Sequence, residues 1–259
     1  MSSPRTYVIG DVHGERVLLA TLLAELPFIG PKDSLIFLGD YFDRGPDSRG
    51  VVELLRRLPE QTAGTVVCLR GNHEDALLKV IDQKDPSFLI PPGNGALATF
   101  ASFVDGPPGM TMADLDRATM ERFFDAGTWM PAPVVDWMRG LPLWWRDDHA
   151  TYVHAGLEGE GTVWAPPETS SATSLLWQRE PDFFAGYQGP RLVFGHTPVE
   201  DLPPLEPGRT WPWRRGPLHG LDTGAGKGGP LSCLELPSGR LIQVFPDGRV
   251  THAVASVED

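Results

Sequence analysis

Long apolar runs are missing from this chain of 259 residues: apolar content is 41%, and no uninterrupted stretch approaches the ~20 residues that a helix needs to cross a bilayer. The expectation is a soluble protein with no membrane partner. The start, Met1-Ser2-Ser3-Pro4-Arg5, runs straight into a strand-like Tyr7-Val8-Ile9 without an apolar signal segment, so a cytoplasmic location is expected. Cysteine is scarce. Cys68 and Cys233 each sit inside an apolar strand-like run, where a free Cys acts as a small buried hydrophobe, and two free thiols are expected. Basic residues are outnumbered, 22 Lys and Arg against 34 Asp and Glu, for a net charge of −12. That balance argues against non-specific binding to nucleic acid, which depends on Lys and Arg neutralising phosphates. An anionic ligand would have to be attracted locally.

What is present is a repeated unit. Tyr7-Val8-Ile9 ends in Gly10, and Leu19, Leu22, Leu23 and Leu26 follow on a helical period. Leu35-Ile36-Phe37-Leu38 leads through the Asp40 to Asp47 loop into a helix carrying Val51, Leu54, Leu55 and Leu58, with Asp47 or Ser48 as candidate N-cap. Val66-Val67-Cys68-Leu69 leads through an Asn72-His73 loop to Leu77, Leu78 and Ile81. Three βα units predict a mostly parallel sheet with its site outside the carboxyl ends of the strands. From about 88 to 140 the rhythm breaks, with Pro and Gly punctuation and amphipathic pieces around Leu97 to Val104 and Leu115 to Phe124; this reads as a helical insertion over the active-site edge of a single domain, 1–259. Beyond it, Tyr152-Val153-His154 and Leu192-Val193-Phe194 resume the strand pattern. Leu231 to Leu236, Leu241 to Phe245 and Arg249 to Val254 predict further strands between turn signals at Pro237-Ser238-Gly239 and Pro246-Asp247-Gly248.

Each of the early strands is followed by a short polar string: Gly10-Asp11-Val12-His13-Gly14, Gly39-Asp40-Tyr41-Phe42-Asp43-Arg44-Gly45, and Gly71-Asn72-His73-Glu74, with His154 and His196 far downstream. One such string alone is ordinary turn chemistry. Together they bring Asp, His and Asn donors, hard oxygens and imidazole nitrogens that suit Mn²⁺, Fe or Zn²⁺ rather than a thiolate site.

The order of these strings, completed by His154-Ala155-Gly156 and Gly195-His196-Thr197, resembles the calcineurin-like metallophosphoesterases, and the second and third strings resemble its phosphoprotein phosphatase branch, including bacterial and phage serine/threonine phosphatases. The resemblance implies an α/β fold of two facing mixed sheets flanked by helices in four layers (α/β/β/α). It implies two divalent ions, Mn²⁺ first with Fe or Zn²⁺ as alternatives. Asp11, His13 and Asp40 would hold one; Asp40 would bridge to the second, completed by Asn72, His154 and His196. Such a pair acidifies a water into a nucleophile and draws charge from the phosphoryl oxygens. Arg44, Arg179 and Asn72 would hold the substrate phosphate, and His73 paired with Asp43 would donate a proton to the leaving group. Glu74 reads as favouring its helix N-terminus, Asp222-Thr223-Gly224 as shaping the loop near His196, and His149, His219 and His252 as ordinary surface or core histidines.

The implied activity is hydrolysis of phosphomonoesters, on phosphorylated Ser or Thr of a protein or on a small phosphoester. A diadenosine tetraphosphate hydrolase is the alternative within the same superfamily; in that branch the second string lacks the Asp matching Asp43 and the third ends in Asp rather than Glu74. Tyrosine phosphatase or phosphodiesterase activity shares the same chemistry. An inactive protein that binds phosphorylated partners would be expected to have lost one of the residues named above, and none is lost.

Overall fold

Every side chain of Thr6–Ile9 is buried, which only a strand covered on both faces can achieve. Alternation then sorts its residues: Tyr7 and Ile9 join a core beneath helices, whereas Val8 packs with Tyr152 and Val193 of a second sheet. The same division recurs at Leu35 and Phe37 against Ile36. Two sheets therefore face each other, each with helices on its outer side. The computed structural model describes residues 3–254.

The N-terminal half alternates strand and helix as β1 (Thr6–Ile9), α1 (Arg16–Glu25), β2 (Ser34–Phe37), α2 (Ser48–Gln61), β3 (Thr65–Cys68) and α3 (Asn72–Gln83). The insertion contains α4 (Ala96–Phe103), α5 (Arg117–Phe124) and α6 (Ala132–Gly140) with short 3-10 turns between them. There follow β4 (Trp144–Arg146), β5 (Thr151–Val153), β6 (Gly159–Glu160), β7 (Val163–Trp164), α7 (Ala172–Trp177), α8 (Pro181–Gly186), β8 (Leu192–Phe194), β9 (Trp213–Arg215) and β10 (Leu218–Gly220). The chain closes with β11 (Leu231–Leu236), β12 (Arg240–Val244) and β13 (Val250–Val254). One sheet has the order β13-β12-β11-β1-β2-β3, the other β4-β5-β8-β10-β9, and β6 pairs with β7 in a small ribbon. This is the expected arrangement of two mixed sheets flanked by helices.

Two details differ from the sequence reading. The first sheet is not mostly parallel: β1, β2 and β3 are parallel, but β11 enters antiparallel beside β1, with Val8 opposite both Ile36 and Leu234, and β12 and β13 continue antiparallel. Short turns between β11, β12 and β13 permit only antiparallel neighbours. Asn72 and His73 are not loop residues either. They open α3, because Gly71 takes the N-cap position in an extended conformation and its N–H donates to Glu74 Oε2 at 2.7 Å.

The insertion extends the helix-side core. Phe100 packs edge-on against Phe123 and Trp129 at centroid distances of 5.5 and 5.3 Å, and Met130, Val134 and Met138 join the same cluster. It also reaches the motif loops, where the Gly95 carbonyl accepts the Arg44 N–H at 3.2 Å. Cys68 and Cys233 are free, as expected from their strands.

Candidate metal centre

The sequence strings converge where strands of both sheets end. Asp11 and His13 follow β1, Asp40 to Arg44 follow β2, Asn72 and His73 form the first turn of α3, His154 follows β5, and His196 follows β8. Each of the proposed metal ligands is at most 4% exposed, so their polar atoms must be satisfied by one another, by backbone or by a bound ion.

Holding them there strains the backbone. His13, Asp40, Asp43, Arg44 and His196 all have positive φ, between 45° and 73°, a conformation that costs about 1–3 kcal/mol for each non-glycine residue. Hydrogen bonds compensate. The N–H groups of Val12 and His13 donate to the Asp40 carbonyl at 3.1 and 2.8 Å, and Glu74 accepts from Asp40 N at 3.0 Å and Tyr41 N at 2.7 Å in addition to Gly71 N. Glu74 thus ties the second string to the third. The glycines of both strings are sterically required: a side chain on Gly39 would come within 2.7 Å of Gly71, and one on Gly71 would strike the Asp40 carboxylate.

Asp40 lies at the centre. Its Oδ1 is 3.4 Å from His154 Nε2, and its Oδ2 is 3.5 Å from His13 Nε2 and 3.8 Å from His73 Nε2. Asn72 Oδ1 lies 2.8 Å from His154 Nε2 and 2.9 Å from His196 Nδ1. Two groups with metal-ligand spacing result, His13–Asp40–His73 and Asp40–His154–His196, sharing Asp40. Asp11 stands outside both: its carboxylate accepts the His196 N–H at 2.9 and 3.2 Å.

The donor set fits a cation. His13 Nδ1 and His154 Nδ1 each donate to a backbone carbonyl, of Phe42 and Leu38 respectively, both at 2.8 Å. That leaves the His154 Nε2 lone pair facing the Asp40 carboxylate and the Asn72 amide oxygen, acceptor against acceptor, which a positive charge between them reconciles, whereas the His13 Nε2 lone pair accepts from Arg44. Burial lowers the pKa of His13, His154 and His196, keeping these imidazoles neutral and able to ligate. The carboxyls of Asp11 and Asp222 are pushed up, Asp11 by burial and then by Asp222 and Asp40, and Asp222 chiefly by burial. Glu74 rises to about 8 through burial and then Asp40. Buried anions short of countercharge are the setting that two divalent ions would relieve.

The remaining sequence candidates border this centre. His73 Nδ1 lies 2.6 Å from Asp43 Oδ2, its ring edge-on to Phe88 at 5.0 Å. Burial opposes its charge, yet Asp40 and Asp43 together raise its pKa. Arg44 donates to His13 Nε2 and comes within 3.3 Å of His73 Nε2. Arg179 donates from Nε to His196 Nε2 at 2.8 Å and from Nη2 to the His196 carbonyl at 3.1 Å. Asp222 accepts the Gly224 N–H at 3.0 Å, and its carbonyl accepts Val199 N at 2.8 Å, which shapes the loop after His196. His149, His219 and His252 lie elsewhere; His252 pairs with Glu25 at 3.1 Å.

Sequence reasoning missed Thr99. Its hydroxyl donates to Asp43 Oδ1 at 2.5 Å and accepts the Asp43 N–H at 2.7 Å. The available signal was a hydroxyl between Leu97 and Phe100 on an apolar helix, fully buried in the structure.

Comparison with known proteins agrees with this geometry. The chain is 27% identical over 230 residues to serine/threonine-protein phosphatase 1 of Salmonella typhimurium, covering 87% of this chain and 89% of that protein. It is 43% identical over 154 residues to a symmetrical bis(5'-nucleosyl)-tetraphosphatase of Pectobacterium carotovorum, covering 59% of this chain but only 43% of the relative's length. Among solved structures, one assigned provisionally as a diadenosine tetraphosphatase superposes with a TM-score of 0.60 over 98% of this chain and 95% of its own, at 22% identity, a likeness of fold. The sequence profile of calcineurin-like phosphoesterases matches residues 4–200, the span that carries every proposed metal ligand; the chain belongs to that family.

Proposed function

We propose that this chain is a two-metal phosphatase that releases phosphate from phosphomonoesters, with phosphoserine and phosphothreonine groups of proteins as its substrate class. The observation that carries the reading is the buried His73–Asp43 pair, 2.6 Å apart, beside the acceptor cluster centred on Asp40. His13 and Asp40 would hold one ion, completed by Asp11 once its carboxylate turns from the His196 N–H, and Asp40, Asn72, His154 and His196 the other. The oxygen and imidazole donors suit Mn²⁺, with Fe or Zn²⁺ next. Bound there, the ions supply a Lewis acid and an acidified water.

The chain's own residues do the rest. Arg44 and Arg179 border the centre at His13 and His196 respectively, and their planar forks would grip phosphate oxygens together with the Asn72 amide. His73, whose pKa burial opposes but Asp40 and Asp43 raise, would deliver a proton to the departing alkoxide. Asp43 fixes its tautomer and orientation.

Hydrolysis of dinucleoside polyphosphates is the second reading, supported by the 43% identity to the Pectobacterium relative. Two observations favour the protein phosphatase. Asp43 is present and engaged with His73, and the Salmonella phosphatase is matched over 89% of its length. Among the described residues no helix is long and apolar enough to cross a membrane, and the two cysteines are free; a cytoplasmic location suits both. Turnover efficiencies with Mn²⁺ on phosphoserine or phosphothreonine peptides and on diadenosine tetraphosphate decide between the readings. The peptides should react faster; a preference for the dinucleotide by about tenfold or more overturns the protein-phosphatase assignment.

A further inference from the structure

His196 follows the carboxyl end of β8, whereas Arg191 precedes the strand's other end, and His219 of the parallel neighbour β10 pairs with Val193. The amino ends of these strands point away from the metal centre. A cavity of about 210 Å³ opens there, walled by Arg191, Arg209, Arg214, His219, Trp211 and Trp213, and among the described residues no carboxylate lines it. Three guanidiniums border it, of which Arg209 and Arg214 have partners of their own.

The cations differ in what they do. Arg209 is fixed in place: it donates to the carbonyls of Trp211 and Pro212 at 3.1 and 3.3 Å and pairs with Glu206 at 3.3 Å. The Arg191 guanidinium has no carboxylate or hydrogen-bond acceptor in reach among the described residues. Between Arg191 and Arg214, His219 has its pKa lowered to about 4, by burial first and then by the two arginines, so it is a neutral N–H donor that does not add to the repulsion. Trp213 is 2% exposed, forming part of the wall, and Trp211 is 40% exposed.

We propose that this cavity binds a small organic anion: one carboxylate or phosphate head, held by Arg191 and His219, on a single aromatic ring that lies against Trp211. A planar guanidinium matches the two oxygens of such a head, and tryptophan offers a broad face to the ring. The volume falls below the ~300–1,000 Å³ of sites for drug-sized ligands, which excludes a peptide or a dinucleotide. The site is independent of the phosphatase reading.

Calorimetric titration of the full chain with benzoate, phenylphosphonate and inorganic phosphate tests the assignment. Both aromatic anions should bind. Arg191→Ala should weaken them by about tenfold or more, and Trp211→Ala should weaken them by more than it weakens phosphate. Hydrolysis of nitrophenyl phosphate should stay unchanged in both variants, and Arg191→Lys, which keeps the charge but loses the fork, should bind with intermediate affinity if Arg191→Ala does not fold. Absence of binding by either aromatic probe at millimolar concentration overturns the proposal. So does affinity that is unchanged in the Arg191 variants, or that disappears when metal is chelated.

Discussion

His73 Nδ1 and Asp43 Oδ2 stand 2.6 Å apart with both residues fully enclosed, and the opposite oxygen of that carboxylate accepts the Thr99 hydroxyl. The imidazole is therefore held in one orientation, with Nε2 turned toward Asp40. His73→Asn should retain metal and fold but lose about 10²–10⁴-fold in turnover on an alkyl phosphate, the usual worth of general acid catalysis. A nitrophenyl ester, whose leaving group barely needs a proton, should lose far less. Equal losses on both substrates would remove His73 as the proton donor.

Thr99 acts on the same proton one residue further back. Thr99→Val preserves shape and removes the hydroxyl, leaving Asp43 N with Ser48 Oγ at 3.1 Å and Asp43 Oδ1 without its partner. Stability should fall by about 1–3 kcal/mol. Turnover on the alkyl ester should drop less than in His73→Asn, with metal content unchanged. Metal loss in this variant, or an unaltered ratio between alkyl and nitrophenyl turnover, would show that Thr99 does not position the pair.

His219 makes a pH-dependent contribution to stability. Its folded pKa is lowered from the ordinary 6.5 to about 4, so between those values the unfolded chain takes up a proton that the folded chain refuses. This contribution is intact above about pH 6.5 and declines as pH falls toward 4. The stability difference between wild type and His219→Gln, measured by urea unfolding, should therefore shift against wild type from pH 7 to pH 4.5. A difference independent of pH would contradict the shift.

The residues that converge at the candidate metal centre were legible in the sequence because they belong to short strings whose glycines are dictated locally, by the close approach of Gly39 to Gly71 and by the positive φ of Asp40. The strands were legible from apolar runs. What pairs with β1 was not, since hairpin signals in 231–254 set the neighbours of β12 without locating the far partner of β11. Thr99 lies 56 residues from Asp43 in a segment without a repeating pattern, and Phe88 reaches His73 from the same insertion. No local rule connects them. His73 reads as a loop residue in the sequence because Gly71 breaks the helical period at the point where it caps the helix.

Asp40 is the residue on which both metal groups depend. Each site loses affinity with its own ligands, so metal analysis of purified variants tests the dinuclear centre directly. Wild-type chain should carry two equivalents of a divalent metal, His13→Ala should mainly empty one site, and Asp40→Asn should lower occupancy of both. Wild-type levels of two metals in Asp40→Asn would contradict the shared, bridging centre.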